Sequence, residues 1–125
     1  LINSSTEKPR PIEIKYKKSN KTVYINFDNE KNFELSAEYL RVESPSAEVQ
    51  GHNSDQKIIV AGKKFISINN IEKVGNYAIR IVFNDGHDTG IYSWVYLYNL
   101  GMNKKTIWKK YLKSIEVKRL SRELG

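Results

Sequence analysis

The chain has 125 residues, the size of one domain with a single buried core. It contains no cysteine, so disulfide bonds, thiolate zinc sites and cysteine-ligated iron–sulfur clusters are excluded within these residues. No stretch approaches the roughly 18 uncharged apolar residues that a membrane-spanning helix needs. The formal net charge of +7 raises the question of a nucleic-acid or acidic partner.

The first third of the sequence predicts an arm, three strands and a short helix. Residues 1–10 are polar and are expected to form a flexible arm. Apolar and polar residues then alternate in three runs with the period of a half-buried strand, and these runs are 12–16, 23–27 and 33–35. Ser36 is a good N-cap residue, so a helix is expected over 37–42.

The middle of the sequence predicts a loop followed by further strands. Residues 43–56 are polar and contain Pro45, which ends the preceding helix, so we expect a loop there. Short apolar runs predict two strands, at 58–60 and at 65–68. Residues 77–83 alternate most cleanly and predict the best strand of the chain.

The last third predicts a hairpin and two helices. Asp85-Gly86 favours a type I′ turn with positive φ at both residues, and the chain is expected to return as a strand over 88–92. Ser93 can cap a helix over 94–100, which Gly101 would end. A final helix is predicted by an apolar stripe with lysines on the opposite face, formed by Ile107, Trp108, Tyr111, Leu112 and Ile115.

Strands first and helices last are typical of the α+β class. We therefore expect a mostly antiparallel sheet with helices packed on one face and a helical C-terminus. Residues 11–115 are expected to form the domain, followed by a basic tail over 116–125. Basic residues concentrate near both ends of the chain, which suits nucleic acid or an acidic partner, but a solvated lysine-rich surface explains the same pattern.

The residues around the two histidines allow three interpretations. The first is a non-haem iron site, which would combine His52 and His87 with Asp85 or Asp88. However, neither histidine is followed two residues later by a carboxylate, which is the usual compact spacing of such a site.

The second interpretation is a serine nucleophile, and the third is a turn with polar side chains. The available serines are Ser44, Ser46 and Ser93. None of them lies in a glycine-flanked nucleophile elbow. In the third interpretation Asp85-Gly86 forms the turn, and Asp88 or Thr89 bonds the local backbone. Local chemistry favours this third interpretation.

Four separated segments carry a resemblance to a known family. They are AEYLRV at 37–42, SPSAEVQGH at 44–52, the stretch 71–78, and GHDTGIYSW at 86–94. Together they resemble the N-terminal domain of gamma-butyrobetaine hydroxylase, which bacteria also carry as a free-standing protein of unknown function. The likeness covers most of residues 11–113 and implies a compact α+β unit. In the hydroxylases this unit precedes an oxygenase domain that uses 2-oxoglutarate and Fe(II), and the iron ligands lie in that second domain.

The resemblance also implies a zinc site whose ligands this chain lacks. Metal-binding members of the family resemble Cys-x-Cys-x-x-Cys in the loop after the short helix, and the histidine of the GH-x-TG-I-Y run completes the site. The matching positions here are Ser44, Ser46, Val49 and His87. Serine hydroxyls are poor zinc ligands and valine offers none, so we expect no metal and no cofactor. Hydrogen bonds from the serines and His87, the rigidity of Pro45 and packing of Val49 are expected to hold the loop instead.

These observations predict a non-enzymatic accessory or protein-interaction domain. A related domain is appended to nucleotide-binding scaffold proteins of iron–sulfur cluster assembly, which links the prediction by association to assembly of metal or iron–sulfur enzymes. The predicted binding surface comprises Ser44, Ser46, His52, Asp85, His87, Asp88, Thr89, Tyr92 and Trp94. A purely structural role of these residues, locking loop and hairpin together, is the alternative.

Two further functions are kept as alternatives. One is a small-ligand, weak metal or catalytic site around His87 and His52, and the other is binding of nucleic acid or an acidic partner through the terminal lysines. The expected partner is a protein, and cytoplasm is the expected compartment. Because the sequence begins at Leu1 rather than Met, a processed protein of the mitochondrial matrix is the alternative.

Overall fold

A computed structural model describes residues 8–123, so residues 1–7 of the predicted arm and the last two of the predicted tail lie outside it. The helices and strands of this part are β1 (Pro11–Lys17), β2 (Thr22–Phe27), β3 (Asn32–Ser36), α1 (Ala37–Val42), α2 (Ala47–Gln50), a 3-10 turn (Ser54–Gln56), β4 (Ile68–Val74), β5 (Ala78–Phe83), β6 (Ile91–Ser93), α3 (Trp94–Met102) and α4 (Lys104–Val117). The predicted α+β class, antiparallel pairing and helical C-terminus are confirmed.

The strands divide into two three-stranded antiparallel sheets, in the orders β1-β2-β3 and β4-β5-β6. In the first sheet the period-2 pattern is obeyed closely, because Val23, Ile25 and Phe27 of β2 are all buried. Ile25 pairs with Ile14 on one side and with Phe33 on the other. The three strands predicted from the first third of the sequence are therefore confirmed.

The strand predicted at 58–60 is wrong. Backbone groups in this region bond to other parts of the chain: the Ile58 N–H donates to Val49 O at 2.7 Å, and the Gly62 N–H donates to Ser121 O at 2.8 Å. Ile59 and Val60 pack against a small apolar cluster under α4. The apolar run thus serves packing and loop anchorage rather than a sheet ladder.

Strand boundaries in the second sheet also differ from the prediction. The strand expected at 65–68 begins only at Ile68. Ser67 lies before it: the Ser67 N–H donates to Asn84 Oδ1 at 3.1 Å, and the Ser67 carbonyl accepts from the Asn84 N–H at 2.9 Å. The strand expected from residue 77 begins at Ala78 because Tyr77 belongs to the turn that follows β4. The strand expected over 88–92 is shorter and starts at Ile91.

Both predicted helix caps are present. The Ser36 hydroxyl accepts a hydrogen bond from the Tyr39 N–H at the start of α1, and the Ser93 hydroxyl accepts one from the Tyr96 N–H at the start of α3, each at 3.0 Å. The predicted end of α3 is wrong, because Gly101 lies inside the helix. A Cβ at this glycine would come within 2.4 Å of the Phe33 ring, so close packing explains the residue.

Two further predictions need correction. The segment 43–56 was expected to be a loop, but it contains α2 and the 3-10 turn. On α4 the apolar stripe is narrower than predicted, because Tyr111 and Ile115 are buried whereas Leu112 is exposed. Within residues 8–123, no helix combines the length and apolar character required to cross a membrane.

The main core joins the inward side chains of both sheets to α1 and α3. Its largest fully buried side chains include Tyr92, Phe27, Phe83, Ile25, Leu35 and Leu40. The segment after α4 is held against this body by Arg122, whose guanidinium makes two hydrogen bonds, of 2.7 and 2.8 Å, to the buried Glu38 carboxylate. The division between a domain over 11–115 and a tail over 116–125 stays a prediction.

Candidate functional site

The loop after α1 meets the β5–β6 hairpin at one histidine. Ser44 Oγ lies 2.8 Å from His87 Nε2, and Ser46 Oγ lies 3.4 Å from the same nitrogen. Ser44 is fully buried, and only 8 % of His87 is exposed. Val49 is also buried. The expected hydrogen bonds between the serines and His87 are therefore present and Val49 is buried as expected, whereas the contribution of Pro45 rigidity stays a prediction.

The hairpin tip presents His87 by a turn that differs from the predicted type I′. The Gly86 N–H donates to Phe83 O at 3.1 Å, and the Phe83 N–H donates to His87 O at 2.9 Å, which makes a three-residue loop. Among the three residues of this loop, 84–86, only Gly86 has positive φ, at +89°. A three-residue hairpin loop needs one left-handed residue rather than two, so Asp85 keeps an ordinary backbone conformation.

Asp85 fixes the backbone that carries the histidine. Its Oδ1 accepts from the His87 N–H at 3.0 Å, and its Oδ2 accepts from Arg41 Nε at 2.9 Å and Lys63 Nζ at 2.7 Å. Burial acts to raise the pKa of Asp85, but these hydrogen bonds outweigh it and lower the pKa to about 2. The carboxylate is therefore ionised at neutral pH and ties α1, the hairpin and residue 63 together.

A second carboxylate links the loop to the returning strand. Glu48 accepts a hydrogen bond from the Thr89 hydroxyl, and its other oxygen lies 3.9 Å from His87 Nδ1. Burial lowers the pKa of His87, and the positive charge of Arg41 lowers it further against the opposing effect of nearby carboxylates. The imidazole is thus neutral at pH 7, with one nitrogen at the serines and the other towards Glu48.

We call these side chains the loop–hairpin cluster: Ser44, Ser46, Glu48, Asp85, His87 and Thr89. Ser44, His87 and Glu48 are arranged in the order of a nucleophilic triad, with the imidazole between the hydroxyl and the carboxylate. However, the Ser44 hydroxyl is not accessible to a substrate. A Cβ on Gly90 would lie 2.6 Å from Ser44 Oγ, which means that backbone already covers the hydroxyl. A substrate has no route to it without displacement of the hairpin.

Tyrosine hydroxyls close the site from below. Tyr92 donates to Leu40 O and Tyr96 donates to Glu43 O, each at 2.5 Å, so both satisfy carbonyls at the end of α1. Burial raises the pKa of Tyr92 well above its usual range and raises that of Tyr96 to about 12. Both phenols therefore act as hydrogen-bond donors throughout the physiological range.

The predicted binding-surface residues do not all come together. Ser44, Ser46, Asp85, His87 and Thr89 meet in the loop–hairpin cluster, and Tyr92 underlies it. The remaining residues lie outside it, as the next paragraph describes. The role of all of them in binding stays a prediction.

Three predicted surface residues have other partners. His52 is exposed, and its backbone N–H donates to Gln56 Oε1 at 2.8 Å. Among the described residues, no hydrogen bond or ring contact joins His52 to His87. Asp88 pairs with Arg80 at 3.3 Å. The Trp94 indole donates to Asn76 O at 2.7 Å and lines a separate cleft.

Sequence reasoning missed four contributors to the cluster. Arg41 and Lys63 hold Asp85, Glu48 joins the loop to Thr89, and Gly90 allows the backbone to approach Ser44. Arg41 and Lys63 carried no local signal, since their partner is more than twenty residues away in sequence. Arg41, Glu48 and Gly90 lie inside the segments of family resemblance, and this was the one signal available for them.

The residues at the family's metal positions do not fit a structural zinc ion. They supply one imidazole, two neutral hydroxyls and an aliphatic side chain, whereas such a site needs four strong nitrogen or sulfur ligands. The hydroxyls are instead bonded to the histidine and to each other, with 3.2 Å between Ser44 Oγ and Ser46 Oγ. In the described part of the chain, no group of three or more His, Asp or Glu side chains is arranged to hold a metal ion.

Comparisons with known proteins agree with the family resemblance. The model of the family described as "Gamma-butyrobetaine hydroxylase-like, N-terminal" matches residues 14–98. No functionally curated protein matches the chain.

Solved structures support the same assignment. The chain is 44 % identical to one structure determined by NMR in solution, with a TM-score of 0.81 over 98 % of this chain and 92 % of the other. A second NMR structure is 37 % identical, with a TM-score of 0.80 over 94 % and 92 %. A crystal structure of a DUF971-family protein of unknown function from Acidithiobacillus ferrooxidans is 34 % identical, with a TM-score of 0.63 over 74 % and 92 %. This chain belongs to the gamma-butyrobetaine hydroxylase-like N-terminal domain family.

Proposed function

We infer that the chain is a non-enzymatic protein-interaction domain in which the loop–hairpin cluster is a structural lock. The observation that carries this inference is the burial of Ser44 and His87 beneath the Gly90 backbone. A neutral imidazole that shares its bonds with two buried hydroxyls satisfies polar groups that would otherwise be costly to bury. The same arrangement leaves no space for a reacting substrate atom.

The proteins in which related domains occur indicate which class of partner to test first. Relatives of this domain occur beside nucleotide-binding scaffold proteins of iron–sulfur cluster assembly, so such assembly proteins and their client enzymes are the leading candidates. In this proposal the domain contributes recognition, and any metal chemistry belongs to the partner.

The test is purification of the tagged full chain from its native source, followed by identification of stoichiometric partners. We expect at least one protein that stays bound at moderate salt and is also recovered by the Lys109→Glu/Lys113→Glu variant, which controls for adhesion to a basic surface. Recovery of no protein in stoichiometric amount would contradict the proposal.

A catalytic role makes a different prediction for the same histidine. His87→Gln should abolish turnover without change in stability if the imidazole is a proton carrier. The lock predicts the reverse, a loss of about 1–3 kcal/mol in the free energy of unfolding. Chemical denaturation of both proteins distinguishes the two roles.

A second candidate function rests on α4. Its exposed lysines form a basic face, and these are Lys104, Lys105, Lys109, Lys110 and Lys113. Trp108 and Tyr111 pack inward rather than standing among them, so stacking platforms for nucleotide bases are lacking on this helix. This arrangement favours an acidic protein over nucleic acid. Oligonucleotide binding that weakens steeply with salt would contradict that preference.

A further inference from the structure

Each sheet has two edge strands, and one edge strand of each sheet, β1 and β4, borders the same cleft. β1 pairs with β2 alone and β4 pairs with β5 alone among the strands of the described chain. Between them lies a cleft of about 610 Å³, which we call the edge cleft. An edge strand presents backbone N–H and C=O groups that lack ladder partners. In β4 the N–H groups of Ile68 and Ile71 are already bonded to the side chains of Tyr16 and Asn70, so β1 is the wall that offers backbone hydrogen bonds to an incoming chain.

Side chains, not backbone, bridge the two strands. At one end the Tyr16 hydroxyl accepts from the Ile68 N–H at 3.1 Å. At the other end Arg10 Nη2 donates to Asn76 O at 3.3 Å. β1 and β4 therefore run antiparallel to each other, and long side chains span the space between them. These two hydrogen bonds are the ones that cross the cleft among the described residues.

The cleft exposes apolar surface. Ile12 is the unpaired extra residue of a bulge in β1, and it is 72 % exposed. A lone exposed isoleucine would need no explanation. This one lies in a concave surface that also contains the half-buried side chains of Ile14, Ile71 and Trp94. An apolar side chain from a partner would find contacts on several sides here.

The charges of the cleft are unbalanced. Arg10, Lys18 and Lys73 line it, and Glu13 is the one carboxylate among its lining residues. Glu13 is already engaged, at 3.1 Å from Asn26 Nδ2 and 3.5 Å from Lys15 Nζ. Within residues 8–123 no ion pair involves the three lining cations. The cleft therefore favours a negatively charged occupant.

We propose that the edge cleft binds an extended acidic segment of the partner protein, with an apolar side chain beside Ile12 and Trp94 and carboxylates at Lys18 and Lys73. This inference rests on the proposed interaction function and assigns its surface. An extended segment fits better than a helix, because only an extended backbone has free groups for the strand edges. Pro11 and the bulge restrict backbone pairing to the regular part of β1, from Glu13 to Lys17.

The proposal is tested with a peptide of about ten residues that alternates glutamate with valine around a central phenylalanine, long enough to follow β1. Titration into the isotopically labelled full chain should shift the NMR signals of backbone amides in β1 and β4. A matched peptide with glutamine for every glutamate should bind about tenfold more weakly, since it keeps the apolar contacts and loses the charge.

Variants of the chain localise the effect. Lys18→Glu/Lys73→Glu should weaken binding of the acidic peptide about tenfold or more, whereas Lys109→Glu/Lys113→Glu, with the same change in net charge on α4, should change it less than about twofold. All four lysines are exposed, so the fold should survive, and dispersed NMR spectra verify this.

Several outcomes would overturn the proposal. Shifts on α4 that vanish in the α4 variant would move the acidic site to that helix. Shifts of β1 and β4 that grow with protein concentration alone would identify a second copy of the chain as the occupant. Competition by a single-stranded oligonucleotide at the same amides would replace a protein by nucleic acid. If native partners still bind the Lys18→Glu/Lys73→Glu variant and the peptide leaves the cleft unchanged, this inference fails while the proposed function stands.

Discussion

The loop–hairpin cluster and the edge cleft use polar groups in opposite ways. In the cluster, Asp85 has three donors within 3.0 Å, and the buried His87 lies against two buried hydroxyls. In the cleft, Ile12 is exposed and the lysines are unpaired within the described chain. Satisfied groups stabilise a shape, whereas unsatisfied groups at a concave surface remain available to a partner.

The family resemblance and the proposed partner surface overlap only in part. Three of the four segments that resemble the family, 37–42, 44–52 and 86–94, meet at the cluster, where the resemblance implies zinc in metal-binding relatives. In this chain the same location is filled by its own side chains. The proposed partner surface lies instead between β1, which the sequence patterns predicted as an ordinary strand, and β4, of which the predicted strand 65–68 covers only the first residue.

Restoration of the missing ligands should have the largest effect on the cluster. Ser44→Cys/Ser46→Cys/Val49→Cys, combined with the native His87, supplies three thiolates and an imidazole. We expect about one tightly held zinc ion per chain, with a binding free energy on the order of 10 kcal/mol at pH 7. Metal analysis after desalting measures it, and the same variant with His87→Gln is the control. A folded triple variant that retains no zinc would mean that the loop backbone differs from that of zinc-binding relatives.

Gly90→Ala should sharpen the comparison by disrupting the cluster from above. The added Cβ would lie 2.6 Å from Ser44 Oγ and 3.0 Å from Tyr92 Cε1, so the free energy of unfolding should fall by about 1–3 kcal/mol. Gly86→Ala is the control that distinguishes a steric clash of the added Cβ from strain of the backbone conformation. Nothing lies within 4 Å of its added Cβ, but its φ is +89°, so we expect a smaller loss of about 1 kcal/mol. Urea denaturation measures both, and equal losses would refute the packing explanation.

The pH dependence of stability should carry two signatures of the cluster. Because burial lowers the pKa of folded His87, the unfolded chain binds the extra proton first, and stability should decline as pH falls below about 6.5. The pKa of Asp85 is also lowered in the folded chain, so its stabilisation is lost in the same direction but at lower pH. It is present above about pH 4 and is lost as the pH falls towards the folded pKa of about 2. Denaturation curves for the native chain, His87→Gln and Asp85→Asn separate the two ranges. If His87→Gln still loses stability below about pH 6.5, that loss belongs to a titratable group other than His87.

Substitution in the edge cleft should have the smallest effect on stability. Ile12→Ser removes an exposed side chain without a pairing partner, so the free energy of unfolding should change by no more than about 0.5 kcal/mol. The same variant should weaken binding of the acidic peptide. A large loss of stability would show that Ile12 belongs to the folded core rather than to a recognition surface.

Local chemistry predicted the parts of the fold that depend on near neighbours. Ser36 and Ser93 cap helices because each needs only the N–H three residues ahead, and β2 alternates because its two faces differ in burial. Predictions failed where a distant element decides. Gly101 packs against Phe33, and the apolar run 58–60 is occupied by contacts to the α2 loop and to α4.

The site followed the same rule. The family resemblance placed Ser44, Ser46 and His87 together, and the structure brings them within hydrogen-bond distance. It gave no sign that Arg41 and Lys63 would converge on Asp85, because charged residues on a helix and in a loop have many possible partners. The edge cleft could not be predicted for a similar reason. The residue pattern of a single strand does not show whether that strand lies at the edge of its sheet or which other strand lies across from it.

The two tryptophans give two different surfaces of the molecule separate optical probes. Trp94 lines the edge cleft, and the Trp108 ring lies 5.3 Å from the guanidinium carbon of Arg122, under the segment that follows α4. A chain with Trp108→Phe would emit from the cleft alone, and one with Trp94→Phe would emit from the C-terminal contact alone. Occupancy of one surface and detachment of the other could thus be followed separately, in the same solution conditions, without an attached dye.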